Sequence, residues 1–172
     1  MDVKSLSAAD VAPRRAALVA LLEDAVDSGA SIGFLAPLNP GEADAYWGAV
    51  LAPLRDGSRR LLVAEGADGL VGTVQLDLAM RPNGLHRAEV AKLMVHTRAR
   101  RHGLGRVLML AVEDEARRLG RTTLVLDTRA GDPSERLYQA LGWHRFGLVP
   151  RYAKSSSGAL DASAFYFKLL DA

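Results

Sequence analysis

Residues 104–119 place Leu104, Val107, Leu108, Ala111, Val112, Ala116 and Leu119 on one stripe, the spacing of a helix with a single apolar face. Such a helix must lie against another layer to bury that face. Gly120 follows where a helix C-cap belongs. The flanking segments supply the layer: residues 87–96 read as a strand, and residues 122–128 are β-branched and apolar, as in a buried strand. Strand, helix and strand in this order already require a sheet with helices packed on it.

The rest of the chain extends that frame. Residues 2–6 form a short strand, and 8–28 a helix with Ser7 as its cap, Pro13 in its first turn and Gly29 beyond its end. Residues 30–40 hold Gly33, Pro37 and Pro40 and read as loop. A second helix over 41–54 carries Tyr46 and Trp47, for which core packing is the plainer role. Residues 61–64 are a short apolar strand, and Ala67-Asp68-Gly69 is a hairpin turn into strand 71–78. There Val74, Leu76 and Leu78 take one face, and Thr73, Gln75 and Asp77 the other. Asp132, Pro133 and Glu135 stand at the N-cap, first and third positions of a short helix that ends before Gly142. Strands 143–150 and 163–170 close the chain, joined by a loop from Ala153 to Ser163. The order β-α-α-β-β-β-α-β-α-β-β specifies a mixed α/β (α+β) sheet in one domain over residues 1–172.

Composition narrows the function classes. The 172 residues are 49% hydrophobic and 24% charged, with a formal net charge of +2. That balance argues against a nucleic-acid binder and confines any basic function to a local patch. There is no cysteine, which excludes disulfides, thiolate metal sites and an acyl-cysteine intermediate. None of His86, His96, His102 and His144 has a second ligand at metal spacing, so no metal site is expected. Arg14 and Arg15 are expected to face solvent. The start of the chain lacks a secretory pattern, and no apolar run is long enough for a membrane span, so a cytoplasmic, soluble protein with no membrane partner is expected.

The local basic patch lies between strand 87–96 and helix 104–119. Residues 98–106 hold four arginines and no acid. A helix N-terminus presents free amide N–H groups and a partial positive charge, which suit an anion. Gly103 and Gly105 permit close backbone approach. By spacing alone the segment is also compatible with a solvated basic turn. It is not a P-loop, since no Gly-Lys-Ser/Thr is present, nor a dinucleotide fingerprint, since only two of three glycines fit.

Arg100-x-x-Gly103-x-Gly105, between a strand ending Leu93-Met94-Val95 and an amphipathic helix, resembles the acyl-CoA signature of the GNAT (GCN5-related N-acetyltransferase) family. Leu137-Tyr138-Gln139-Ala140-Leu141-Gly142-Trp143 resembles the same family's Leu-Tyr-x-x-Leu-Gly-Phe segment. Residues 86–95, 124–128 and the chain's ending look most like the tabtoxin-resistance acetyltransferases. The resemblance implies a central mixed, mostly antiparallel twisted sheet flanked by helices. It implies acetyl-CoA as cofactor and CoA as product. Pantetheine would pair with Met94 and Val95, and the pyrophosphate would bind Arg100 and the amides of Arg101, His102, Gly103, Leu104, Gly105 and Arg106. A homodimer is common in the family. One position departs from it: Gly131 stands where many relatives carry asparagine.

Acetyl transfer needs a neutral amine, stabilisation of the thioester oxygen and a proton for the departing sulfur. A tyrosine phenol, with a pKa of about 10, is a donor at neutral pH, and the family's matching tyrosine makes Tyr138 the candidate acid. Packing on an amphipathic helix is its alternative role. Glu89 and Asp127 are the candidate bases, both on strands near the sheet centre, where an acid must be paired or solvated by a cleft. Alternation places Glu89 on a face with Ala91, Leu93 and Val95. Their structural alternatives are Glu89 paired with Arg87 or Lys92, and Asp127 bonded to the following turn. The expected function is acetyl transfer to a small-molecule amine, amino-acid-like or antibiotic-like. A protein N-terminus or lysine as acceptor, and a non-catalytic acyl-CoA sensor, remain open.

Overall fold

The computed structural model describes residues 2–67 and 69–171. Met1, Asp68 and Ala172 lie outside the described residues, and with Asp68 the expected hairpin turn at 67–69. Strand β1 (Asp2–Leu6) is followed by helices α1 (Ala8–Val11), α2 (Arg15–Asp27) and α3 (Glu42–Asp56). Three strands come next, β2 (Arg59–Gly66), β3 (Gly69–Leu78) and β4 (Arg87–Val95), then α4 (Leu104–Arg118), β5 (Thr123–Arg129), α5 (Ser134–Ala140), β6 (His144–Lys154) and β7 (Leu160–Leu169). The strands form a seven-stranded sheet in the order β1-β2-β3-β4-β5-β7-β6. Every pairing is antiparallel except β4 with β5, which α4 connects as a crossover. The mixed, mostly antiparallel sheet flanked by helices is the architecture the family resemblance implied.

Each face of the sheet carries its own apolar cluster. On one, Leu104, Leu108, Met109, Val112 and Ala116 of α4 meet Leu62, Val74, Leu76, Val90 and Leu124. On the other, Leu18, Leu21 and Leu22 of α2 and Trp47 and Val50 of α3 meet Leu61 and Val63. Helices on both faces explain why the polar side of β3 is not solvated: Thr73 and Gln75 are fully buried. Buried polar groups need partners. Thr73 Oγ1 donates to the Leu62 carbonyl at 2.8 Å, and Gln75 Nε2 donates to the Tyr46 hydroxyl at 2.8 Å. The Trp47 indole donates to the Leu18 carbonyl at 2.8 Å, which places Trp47 in the core.

Several expectations are corrected. The helix expected over 8–28 breaks into α1, a 3-10 turn (Ala12–Arg14) and α2, because Pro13 has no N–H to continue the ladder. Val107 is exposed, whereas Met109 and the acid Glu113 are buried, so the buried face of α4 is rotated from the expected stripe. Arg14 pairs with Glu65 at 2.7 Å and Arg15 with Asp44 at 2.6 Å, and neither arginine stands free in solvent. Asp132 does not cap α5: its carboxylate takes Arg129 Nε at 2.9 Å, and Glu135 Oε1 accepts the Gly131 amide at 2.7 Å. The last two strands reach Lys154 and start at Leu160, so the connection is shorter than 153–163.

The feature that positions the site is a break in β4. Gln75 pairs with Ala91 and Thr73 with Met94, so Lys92 and Leu93 together face Val74 alone. This is a β-bulge, and Lys92 takes its left-handed conformation, φ +53°. The bulge overturns simple alternation. Ala88 and Val90 share the α4 side with Leu93 and Val95, while Met94 turns to the α2–α3 side. Glu89 therefore does not share a face with Leu93 and Val95.

Candidate active site

β4 and β5 pair over only three rungs, from Arg87↔Thr123 to Glu89↔Val125. Beyond them the strands part, and two cavities fill the fork. The larger, about 650 Å³, runs between the end of β4 and the N-terminus of α4. The smaller, about 370 Å³, lies over Glu89, Asp127 and Tyr138. Ala30, Leu93, Asp132 and Ser134 line both, so the two adjoin.

The larger cavity meets the turn before α4. Gly103 is the N-cap, in the left-handed region at φ +77°, a conformation that glycine adopts without steric strain. The first amides of a helix have no carbonyl acceptor within it, and here Leu104, Gly105 and Arg106 all line the cavity. A Cβ on Gly105 would lie 3.3 Å from Leu137 Cδ2, so the absent side chain lets α5 approach α4. Met94, Val95, Arg100 and Arg101 also line this cavity; His102 does not. The Arg100 guanidinium is engaged by protein, with Nε on the Val95 carbonyl at 3.0 Å and a second nitrogen on Ser28 Oγ at 2.6 Å. Asp24 of α2 accepts from the Thr97 amide at 2.8 Å and its hydroxyl at 2.6 Å, fastening the turn from the other side.

The smaller cavity brings Glu89, Asp127 and Tyr138 together. Neither structural alternative for Glu89 is realised, since no ion pair joins it to Arg87 or Lys92 among the described residues. Glu89 is open to the cleft yet crowded by protein, and this partial burial, with the charges of Asp77 and Asp127, pushes its carboxyl above the ordinary range. Asp127 accepts a hydrogen bond from Ser163 Oγ at 3.0 Å and is otherwise exposed to the cleft. Tyr138 is 6% exposed, its ring packed against Trp143 and Tyr166. Burial first, then the charges of Asp127 and Asp132, raises its phenol well above its usual value. Its hydroxyl has no hydrogen-bond partner among the described residues.

Other functional neighbours escaped the sequence reading. Lys92 enters the cavity wall only because of the bulge, which has no residue signature in β4. Residues 30–33 form one wall, and Tyr152, Ala153 and Ser163 another. Ser163 became visible only as the partner of Asp127, a contact across 36 residues of chain.

The acetyltransferase (GNAT) family model matches residues 17–143. An uncharacterized N-acetyltransferase of Azospirillum brasilense is 37% identical over 110 residues, 62% of this chain and 63% of that protein; the match thus spans less than two thirds of the relative. A ribosomal-protein-alanine N-acetyltransferase from Brucella melitensis superposes with a TM-score of 0.78 at 25% identity, covering 99% of this chain and 100% of that one. A phosphinothricin acetyltransferase of Sinorhizobium meliloti, solved in complex with acetyl-CoA, gives a TM-score of 0.81 at 18% identity over 98% of this chain and 88% of that one. At that identity the likeness is one of fold.

Proposed function

Because the chain belongs to the acetyltransferase (GNAT) family, we propose that it transfers the acetyl group of acetyl-CoA directly to the amine of a small molecule, amino-acid-like or antibiotic-like, and releases CoA. One observation carries this reading: a cavity ending on a helix N-terminus adjoins a second cavity lined by two carboxylates and an unpartnered phenol.

The residues fit the cofactor. The amides from Arg101 to Arg106, the left-handed Gly103 and the cation of Arg101 suit a diphosphate. Arg100 supports the turn through Val95 and Ser28, and His102 contributes through its backbone at most. Met94 and Val95 lie past the last rung shared with β5, where an extended pantetheine would replace the missing strand. Acetyl-CoA, when bound, supplies an activated acyl group on a good leaving group. Glu89 takes the proton of the acceptor ammonium on a carboxylate oxygen, directly or through water, and its raised pKa improves its match to that task. Asp127 is the alternative base, oriented by Ser163. Tyr138, kept protonated by burial, donates its hydroxyl proton to the departing sulfur. Residues 1–172 act as one domain in this reading. Phe146, exposed and in ring contact with the partly buried Phe165 and Phe167, marks the face where a second copy would seat, which sedimentation would detect.

A panel of small amines, lysine derivatives and peptides with free N-termini, incubated with acetyl-CoA, tests the proposal. With no cysteine in the chain, a thiol reagent reads released CoA without protein background. Release with small amines supports the reading. Release with peptides alone moves the acceptor to protein, and thermal protection by acetyl-CoA without release leaves a binding module.

A further inference from the structure

Lys92 is the single cation among the described residues that line the smaller cavity, which also holds Glu89, Asp127 and Asp132. Asp132 already has Arg129 at 2.9 Å. Lys92 has no hydrogen bond or ion pair among the described residues; its near neighbour is the Phe34 ring, with Nζ 5.9 Å from the centroid. A Cβ on Gly33 would lie 3.3 Å from Nζ, so the loop leaves room for the ammonium by having no side chain there. Lys92 also holds a positive φ of 53°, where glycine or asparagine is at less disadvantage. Such conformations persist where the surroundings over-determine them, often at ligand clamps. A half-buried cation with no carboxylate within ion-pair distance is poorly satisfied. Burial and Arg59 disfavour its charge, and the carboxylates Asp77, Asp127 and Glu89 only partly offset this.

The acceptor amine must reach the carboxylates and phenol of this same cavity of about 370 Å³. A group that satisfies Lys92 therefore belongs to the same small molecule and lies a few bonds from the amine. We infer that Lys92 binds a carboxylate of the acceptor, so that the acceptor is a compact amino acid whose amine is steered toward Glu89 and Asp127. This rests on the acetyl-transfer reading above and narrows it. Simple amines and polyamines lack the anion and would leave Lys92 unpaired. Lys92 makes no bond to the transferred group; it selects and positions.

Matched pairs test it: phenylalanine with phenethylamine, histidine with histamine, lysine with cadaverine, each assayed by CoA release for the wild type and for Lys92→Met and Lys92→Arg. The wild type should favour the carboxylate-bearing member of at least one pair by tenfold or more in kcat/KM. Lys92→Met should lose about tenfold to a hundredfold on that member, chiefly through KM, as expected for a lost charge-assisted contact. On the decarboxylated member it should change by less than about twofold, and Lys92→Arg should retain the preference. Equal use of both members by the wild type, or an equal fall on both in Lys92→Met, overturns the inference while acetyl transfer stands. No release from any pair, with release from other amines, also overturns it. No release from any amine removes both readings. If Lys92→Met does not fold, the wild-type ratios and Lys92→Arg decide.

Discussion

Tyr138 is a large aromatic with its hydroxyl at a cavity wall and its ring clamped by two others. Removing the hydroxyl should leave packing nearly unchanged. Tyr138→Phe is therefore expected to lower kcat by about a hundredfold, in the usual range for a lost proton donor, with little change in acetyl-CoA affinity by calorimetry. Unchanged turnover would return Tyr138 to the core. Glu89 makes a prediction with a sign. Its folded carboxyl holds its proton more tightly than the unfolded one, so the folded state loses stability as pH rises from the unfolded pKa through the folded value. Glu89→Gln should equal the parent in urea stability below about pH 4 and exceed it at neutral pH. As the base, Glu89 should give a kcat/KM profile rising through a pKa above the ordinary carboxylate range, and the amide should erase that limb. If the limb survives there and vanishes in Asp127→Asn, Asp127 is the base. These three residues stood out in the sequence, Tyr138 through the family's segment and the two acids through their apolar strands and the subgroup resemblance, and the fold brings all three to one cavity. Lys92 and Ser163 did not stand out, since neither stands in a motif and each reaches the cleft only through the folded sheet.

At the scale of elements, α4 and the turn before it were the most readable part of the chain. Apolar period and two glycines define both ends of that helix. Its rotation was less readable: Val107 matched the stripe but is exposed, and Glu113 broke it but is buried. Periodicity counts apolar residues and cannot foresee a buried acid that finds partners. The bulge in β4 was invisible for a similar reason, since a slip of one residue reverses the faces without altering composition. Gly103→Asp places a carboxylate at the anion end of the larger cavity, where helix amides favour negative charge from a ligand. Acetyl-CoA affinity should fall by at least about thirtyfold by calorimetry, with roughly 2 kcal/mol lost as a charge-assisted site is opposed. Retained affinity would separate the α4 turn from the cofactor.

Across the whole molecule, the order of strands and helices followed from the sequence, while the ties between layers did not. Glu113 of α4 is 1% exposed. It accepts the Trp143 indole at 2.9 Å and Lys168 Nζ at 2.6 Å, joining α4 to the turn between α5 and β6 and to β7. Glu113→Ala leaves Lys168 with a buried charge and should cost about 3 kcal/mol in urea unfolding. Pairing Glu113→Leu with Lys168→Met should recover much of that, because both charges then disappear. A loss under about 1 kcal/mol for the single variant would show water reaching the pair. The fork between β4 and β5 has a different reach. Past the last shared rung at Glu89, β4 runs six residues to Val95, roughly 20 Å at 3.3 Å per residue. That free edge acts as a ruler. In the proposed reading it would set how far a donor anchored at α4 extends toward Tyr138, and a longer acyl chain would then either displace the acceptor or back the whole donor out of its anchor.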